Sequence, residues 1–275
     1  MYRIVDKKIL NPQITAMTVE APFVAKKVQP GQFVIIRADE KGERVPLTVA
    51  DFDREKGTVT VILQAIGFST KKISSFNVGE SLADCVGPLG VPTEFGSPKK
   101  AIVIGGGVGC AIAYPQAKAL HNMGVDTTVI AGFRSKDIVI LEEEMKAVSN
   151  NLYITTDDGS YGHKGFVTDV LKDLISKDTY DLVIAIGPIP MMKFVSKTTE
   201  EQNIKTIVSL NPIMIDGTGM CGGCRVNVGG EVKFACVDGP DFDGHKVDFD
   251  ELMRRNSFYR GEEAHVCRLG AKKNG

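Results

Sequence analysis

Cys221, Cys224 and Cys236 crowd into one short stretch, half of the six cysteines in the chain. With Asp216 upstream they read D-x4-C-x2-C-x11-C, and Gly217, Gly219, Gly222 and Gly223 fill the loop between them. Plant-type [2Fe–2S] proteins use C-x4-C-x2-C and a later cysteine, so Asp216 stands where the first thiolate would be. A glycine-rich loop suits such a centre, because glycine reaches the backbone angles that let N–H groups wrap around sulfide. An aspartate carboxylate can bind ferric iron, as a harder donor than thiolate. A tetrahedral zinc site would accept the same cysteine half-site and the carboxylate. A third possibility makes Asp216 a turn residue and leaves three protein ligands. A disulfide framework does not suit a chain of this size and type, so clustered thiols read first as metal ligands. Cys85, Cys110 and Cys267 read as packed or surface thiols.

A second chemical feature is Gly105-Gly106-Gly107-Val108-Gly109, which follows the apolar run Ala101–Ile104 and precedes an alanine-rich helical stretch. Strand, glycines, then helix is the arrangement that seats a phosphate on a helix N-terminus. The match to the dinucleotide fingerprint is partial: Cys110 stands where its third glycine belongs, and no acidic residue ends the next strand near residue 131. A tight βα turn explains the glycines equally well. Gly187-Pro188 ends a later apolar run and would lie at the same edge of a parallel sheet. Arg134 could meet a ribose 2′-phosphate, cap a helix or pair with an acid. Asp157-Asp158-Gly159 reads as a turn that could touch a ribose.

A third set lies upstream. In Arg44-Val45-Pro46-Leu47-Thr48 the arginine offers a fork to a pyrophosphate, the proline stiffens a strand end, and the threonine hydroxyl can bond a ring nitrogen. Gly67-Phe68-Ser69-Thr70 opens a helical stretch, a second phosphate seat, and Gly87-Pro88-Leu89-Gly90 is a tight turn. Taken alone, an arginine on a strand is more often a surface ion pair.

The elements that must position these residues divide the chain in three. Residues 1–97 carry short β-branched runs (Val34–Ile36, Thr58–Leu63) separated by turn signals, which predicts a small barrel or sandwich. The polar stretch 95–100 marks a boundary. Residues 98–207 alternate buried strands, including Thr127–Ala131 and Leu182–Ile186, with helices, which predicts a parallel sheet covered on both faces. Residues 208–275 are glycine-dense, with a short amphipathic helix predicted over 248–256 and a polar tail beyond. A net charge of −1 gives no electrostatic support for nucleic acid or an acidic membrane surface. The sequence holds no run long enough to span a bilayer and no secretory leader, so a cytoplasmic location is expected.

The order of these motifs resembles the ferredoxin–NADP reductase superfamily. Within it the chain is most similar to the iron–sulfur electron-transfer subunits of the dihydroorotate dehydrogenase B type and to the small subunits of NADH-dependent reduced ferredoxin:NADP oxidoreductases, also labelled sulfide dehydrogenase subunits. Dihydroorotate-type subunits carry cysteine where Asp216 stands, so this departure favours the bifurcating reductases. The resemblance implies a β-barrel FAD domain, an α/β nucleotide domain and a small C-terminal iron–sulfur module. It implies that Arg44, Pro46, Leu47 and Thr48 hold the flavin ring side and pyrophosphate, and that Gly67, Ser69 and Thr70 hold FAD phosphate. Gly105, Gly106, Gly107, Val108, Gly109, Gly187 and Pro188 would hold NAD(H), with Arg134 keeping NADP(H) open. Asp216, Cys221, Cys224 and Cys236 would ligate the [2Fe–2S] cluster. It also implies a larger flavin and iron–sulfur partner subunit, and ferredoxin at the level of the complex. No general acid or base is required, so His121, His163, His245 and His265 need no catalytic role. The competing expectations are the electron-transfer subunit of dihydroorotate dehydrogenase, a self-contained flavin reductase, and a zinc-bearing, nucleotide-sensing regulatory module without redox activity.

Overall fold

The computed structural model describes residues 1–259, 261, 262 and 265. Cys267 and most of the tail lie outside them. The first unit is a seven-stranded antiparallel sheet. Its strands are β1 (Tyr2–Asn11), β2 (Ile14–Glu20), β3 (Phe33–Arg37), β4 (Val45–Asp53), β5 (Thr58–Gln64), β6 (Ser81–Leu82) and β7 (Asp84–Leu89), joined by helices α1 (Pro22–Lys27) and α2 (Phe68–Ser75). The spatial order is β6-β1-β2-β5-β4-β3-β7. Only Ala83 separates β6 from β7, so the two edges of the sheet belong to adjoining residues and the sheet is a nearly closed barrel. β5 alternates buried and half-buried positions, with Val59, Val61 and Leu63 turned inward. That period of two is what a strand with one covered face requires.

The second unit is built from β8 (Lys100–Gly106), α3 (Cys110–Asn122), β9 (Asp126–Phe133), α4 (Glu142–Ala147), β10 (Asn151–Thr156), β11 (His163–Lys164), α5 (Val167–Lys177), β12 (Leu182–Ile186), α6 (Ile189–Glu200) and β13 (Lys205–Ser209). All five residues of β12 are buried, as are the last six of β8. Such runs suit strands covered by helices on both faces. The sheet order is β11-β10-β9-β8-β12-β13 with parallel pairing throughout. Chain direction across the sheet therefore reverses between β8 and β12, and ligands of open α/β sheets bind at that switch point.

The remaining residues add β14 (Arg225–Val228), β15 (Glu231–Phe234), β16 (Asp241–Asp243) and α7 (Phe249–Arg255). β14 and β15 form a hairpin through Gly229-Gly230, both at positive φ (63° and 82°), the combination a two-residue type I′ turn demands. β16 pairs antiparallel with β13 and extends the parallel sheet by one strand. α7 is capped by Asp248, whose side chain accepts from the Glu251 N–H at 2.9 Å.

The three parts of the chain meet at a small polar hub. Thr93, on the segment leaving the barrel, donates its hydroxyl to Asp241 Oδ2 at 2.5 Å, and Gln116 of α3 donates Nε2 to Thr93 Oγ1 at 2.7 Å. Gln116 is fully buried, and both Gln116 Oε1 and Asp241 Oδ1 lack a partner. Burial is the main reason the Asp241 carboxyl sits above its ordinary pKa, opposed by hydrogen bonds from Ser209, Thr93 and Gln116. A carboxyl with a raised native pKa binds its proton more tightly folded than unfolded, so its contribution is present in acid and lost as pH rises. Asp241→Asn should therefore gain in Tm relative to the unsubstituted chain as pH is raised from about 4 to 7 in thermal melts, and a pH-independent difference would contradict this.

Candidate functional site

At the switch point the two glycine segments lock together. A Cβ on Gly109 would lie 2.4 Å from the Ile186 carbonyl oxygen and 2.9 Å from Gly187 Cα. One on Gly187 would lie 3.1 Å from Gly106 Cα. The loop after β8 thus packs backbone against backbone on the loop after β12, and both lie at the same edge of the parallel sheet. Gly107, at φ 56°, has open space where its side chain would be, which leaves a bare backbone surface at the mouth of α3. Val108 is half-buried beside it. Cys110 explains the imperfect fingerprint. Its thiol is fully buried, pushed far up in pKa by desolvation, and fills the space beneath Gly105, whose Cβ would come within 2.8 Å of the sulfur. Arg134 stands exposed at the end of β9, the strand next to β8. Asp158 closes its own turn by accepting from Ser160 N–H at 2.9 Å.

In the barrel, Pro46 pairs with Ile35 and Thr48 with Phe33 across β3 and β4. Leu47 is half-buried between them. α2 begins at Gly67, whose N–H donates to Thr70 Oγ1 at 3.1 Å while the Thr70 hydroxyl donates back to the Gly67 carbonyl at 3.2 Å. The Ser69 hydroxyl donates to the Glu43 carboxylate, so the entrance to this helix already receives an anion. A pocket of about 190 Å³ lies there, lined by Ala38, Gly42, Glu43, Phe68, Ser69 and Lys72. These features fit a flavin nucleotide: a helix entrance takes negative charge, and a strand bearing Arg44 and Thr48 lies nearby.

The hairpin of β14 and β15 explains the longest cysteine spacing. Arg225 pairs with Phe234 and the Ala235 N–H donates to the Cys224 carbonyl at 3.1 Å, so Cys224 and Cys236 meet at the open end of the hairpin with their sulfurs 3.2 Å apart. Both are buried, and burial with the neighbouring thiol pushes Cys236 up to about 12. Cys221 is exposed and held differently. The Gly223 N–H points at its sulfur and is the main reason its pKa lies below the ordinary thiol value, opposed by desolvation and the Asp216 charge. The Gly223 contact is 3.4 Å. Gly217, Gly219 and Gly222 all have positive φ, so the loop needs glycine at each.

Asp216 lies next to Cys221, but its carboxylate closes its own loop, accepting from Thr218 N–H at 2.8 Å, from the Thr218 hydroxyl, and from Met220 N–H at 3.3 Å. Those bonds, and Arg44 nearby, hold its pKa below the ordinary carboxylate value. The structure thus joins Cys224 to Cys236 and sets Asp216 beside Cys221. Among the described residues no three Cys, His, Asp or Glu side chains gather around one point. An inward N–H on an exposed cysteine, a carboxylate on the same loop and a buried cysteine pair make a donor set that fits a sulfide-bridged cluster.

Two features escaped the sequence. Arg44 does not stand free on its strand. Its Nε and Nη2 donate to the Asp216 carbonyl at 3.2 and 3.0 Å, across a gap of 172 positions. A Cβ on Gly217 would lie 2.8 Å from Ile35 Cδ1, so the cysteine loop is pressed directly on β3 of the barrel.

Comparison with known proteins agrees with this layout. Residues 211–248 match the family model described as the iron–sulfur cluster binding domain of dihydroorotate dehydrogenase B, and residues 103–197 match the oxidoreductase NAD-binding domain. A Thermotoga maritima homolog of the dihydroorotate dehydrogenase B (NAD(+)) electron transfer subunit is 46% identical over 96% of this chain and 93% of its own length. The chain belongs to the dihydroorotate dehydrogenase B electron-transfer-subunit family. An uncharacterised Clostridium beijerinckii protein from the adh 3′ region is 56% identical over 96% of this chain and 92% of its own. Among solved structures, a chain of the NADH-dependent reduced ferredoxin-NADP oxidoreductase, studied for flavin-based electron bifurcation, superposes with a TM-score of 0.93 at 43% identity. That match covers 98% of this chain and 97% of that one. The barrel, parallel sheet and cluster module are therefore the fold of this family.

The locked glycine loops carry a direct test. Gly109→Ala places a methyl group on a backbone carbonyl that cannot retreat, which should cost about 1–3 kcal/mol and lower Tm by several degrees in calorimetry.

Proposed function

We propose that this chain is the flavin and iron–sulfur electron-transfer subunit of a larger oxidoreductase, exchanging hydride with NAD(H) through FAD and relaying electrons through a [2Fe–2S] cluster to a partner subunit. The observation that carries this reading is the seating of the cysteine loop on β3 and Arg44, which sets the donors of a one-electron centre against the barrel strand paired with Pro46 and Thr48. Bound FAD and the cluster supply the conversion of a hydride pair into single electrons. The chain's own residues bind and orient. Arg44, Pro46, Leu47 and Thr48 hold the ring side and pyrophosphate of the flavin, and Gly67, Ser69 and Thr70 receive a phosphate at the start of α2. Gly105 through Gly109, with Gly187 and Pro188, form the seat of the nicotinamide nucleotide at the switch point, Gly107 offering it open backbone while Gly105, Gly106, Gly109 and Gly187 close-pack the two loops, and Arg134 is placed to admit a 2′-phosphate. Asp216 and Cys221 hold one side of the cluster, Cys224 and Cys236 the other.

The divisions that go with these roles are 1–97, 98–207 and 208–275. The particular assembly we favour is an NADH-dependent ferredoxin:NADP oxidoreductase that bifurcates electrons, with a larger flavin and iron–sulfur subunit as partner, ferredoxin serving the complex, and a cytoplasmic location. Supporting it are the similarity to the bifurcating reductase chain and the carboxylate at position 216. Among the described residues no helix is long and apolar enough to cross a membrane. The family model itself bears the dihydroorotate dehydrogenase name, which keeps that enzyme's electron-transfer subunit as the second reading. The identity of the subunit that copurifies separates the two.

Anaerobic purification should yield a coloured chain with about two iron atoms and one FAD, bleached by NADH. A colourless protein containing zinc would defeat the proposal. Asp216→Cys should still assemble a cluster, with an altered EPR signal and potential, whereas an unchanged spectrum would remove Asp216 from the ligand set.

A further inference from the structure

The cysteine loop is oriented by arginines. Arg44 holds the Asp216 carbonyl with two donors, Arg225 Nη1 reaches the Gly222 carbonyl at 3.3 Å, and Arg255 Nη2 reaches the Gly223 carbonyl at 3.3 Å. These three carbonyls accept from cationic groups outside the loop. In the peptide whose carbonyl Arg225 holds, the Gly223 N–H points the other way, onto the Cys221 sulfur at 3.4 Å. That peptide dipole places its positive end at the sulfur. Hydrogen bonds to sulfur and local charge are what set an iron–sulfur potential.

Among the three, Arg44 differs in origin. Arg225 and Arg255 flank the loop within the C-terminal part of the chain, whereas Arg44 enters from the barrel, one residue before β4. It fixes the carbonyl of Asp216, whose neighbour Gly217 is wedged on Ile35. A guanidinium carries five N–H donors, and its Nε and Nη2 are the groups turned to Asp216.

Resting on the cofactor reading above, we propose that Arg44 is a positioning residue for the iron–sulfur cluster as well as a flavin contact, one side chain tying the loop that carries Asp216 and Cys221 to the barrel. Lysine cannot reproduce the fork, and glutamine removes the charge.

The test compares the full chain, isolated anaerobically with its cofactors, against Arg44→Gln and Arg44→Lys. Readouts are the EPR spectrum and midpoint potential of the reduced cluster, FAD content, and amide hydrogen exchange of the peptide spanning residues 211–224. Loss of a positive charge disfavours adding an electron, so Arg44→Gln should lower the midpoint potential and shift the EPR signal. Arg44→Lys should restore the potential in larger part than the EPR signal. Loop exchange in Arg44→Gln should accelerate by roughly tenfold or more, the expected consequence of losing a charge-assisted bond. If Arg44→Gln fails to assemble the cluster, exchange in cluster-free wild-type and variant chains decides: faster loop exchange in the variant supports the proposal and equal exchange overturns it. Unchanged EPR, potential and loop exchange alongside reduced FAD would confine Arg44 to the flavin and overturn the proposal. If the wild-type chain itself shows no iron–sulfur signal, the cofactor reading fails separately, and the exchange comparison still reports whether Arg44 holds the loop.

Discussion

One buried polar junction sets how the three parts of this chain meet. Asp241, Thr93 and Gln116 come from the C-terminal part, the barrel exit and the nucleotide helix, and they meet where water is excluded. The barrel can face the parallel sheet in one way only if these groups find one another, because each unpaired polar atom there costs on the order of 1–3 kcal/mol. Asp241 Oδ1 and Gln116 Oε1 remain unpaired even so. Buried polar groups of this kind specify an arrangement more than they strengthen it. The relative placement of the flavin strand, the switch-point crevice and the cysteine loop follows from that junction.

Much of this was legible from residue order. The β-branched runs at 34–36 and 58–63 became β3 and β5, the buried runs at 101–104 and 182–186 became neighbouring parallel strands, and the predicted helix over 248–256 lies at Phe249–Arg255. These signals are local: a period of two, a short continuous apolar run, a capping aspartate. What stayed hidden was long-range. Nothing near Arg44 announces that it will bind a carbonyl far along the chain, and an aspartate in a glycine-rich loop looks alike whether it turns to a metal or to its own backbone. In the structure Asp216 turns one carboxylate oxygen, Oδ2, to its own loop. Gln116 also gave no signal, since a glutamine in an amphipathic helix usually meets water.

The cysteine spacing shows how a motif and a fold define each other. The twelve-residue step from Cys224 to Cys236 is long for a metal half-site read along the chain. It becomes short once Gly229-Gly230 turns the hairpin, because the register then sets the two sulfurs together. The shorter step from Cys221 to Cys224 needs no such device and relies on loop glycines instead. Two mechanisms, a strand register and a backbone wrap, bring donors to one place from opposite sides.

β16 has a consequence for how this architecture could be taken apart. By pairing with β13 it covers the last hydrogen-bonding edge of the parallel sheet on that side. The cluster-bearing part is thus stitched into the nucleotide-binding sheet and is no detachable bead at the chain's end. A chain cut after Ser209 would bare β13, whose last four residues are buried, as an open edge strand. Unpaired edges of that kind recruit strands from other molecules and aggregate. The nucleotide-binding half therefore depends on the redox half for its solubility, and the two could be exchanged between proteins only as one piece.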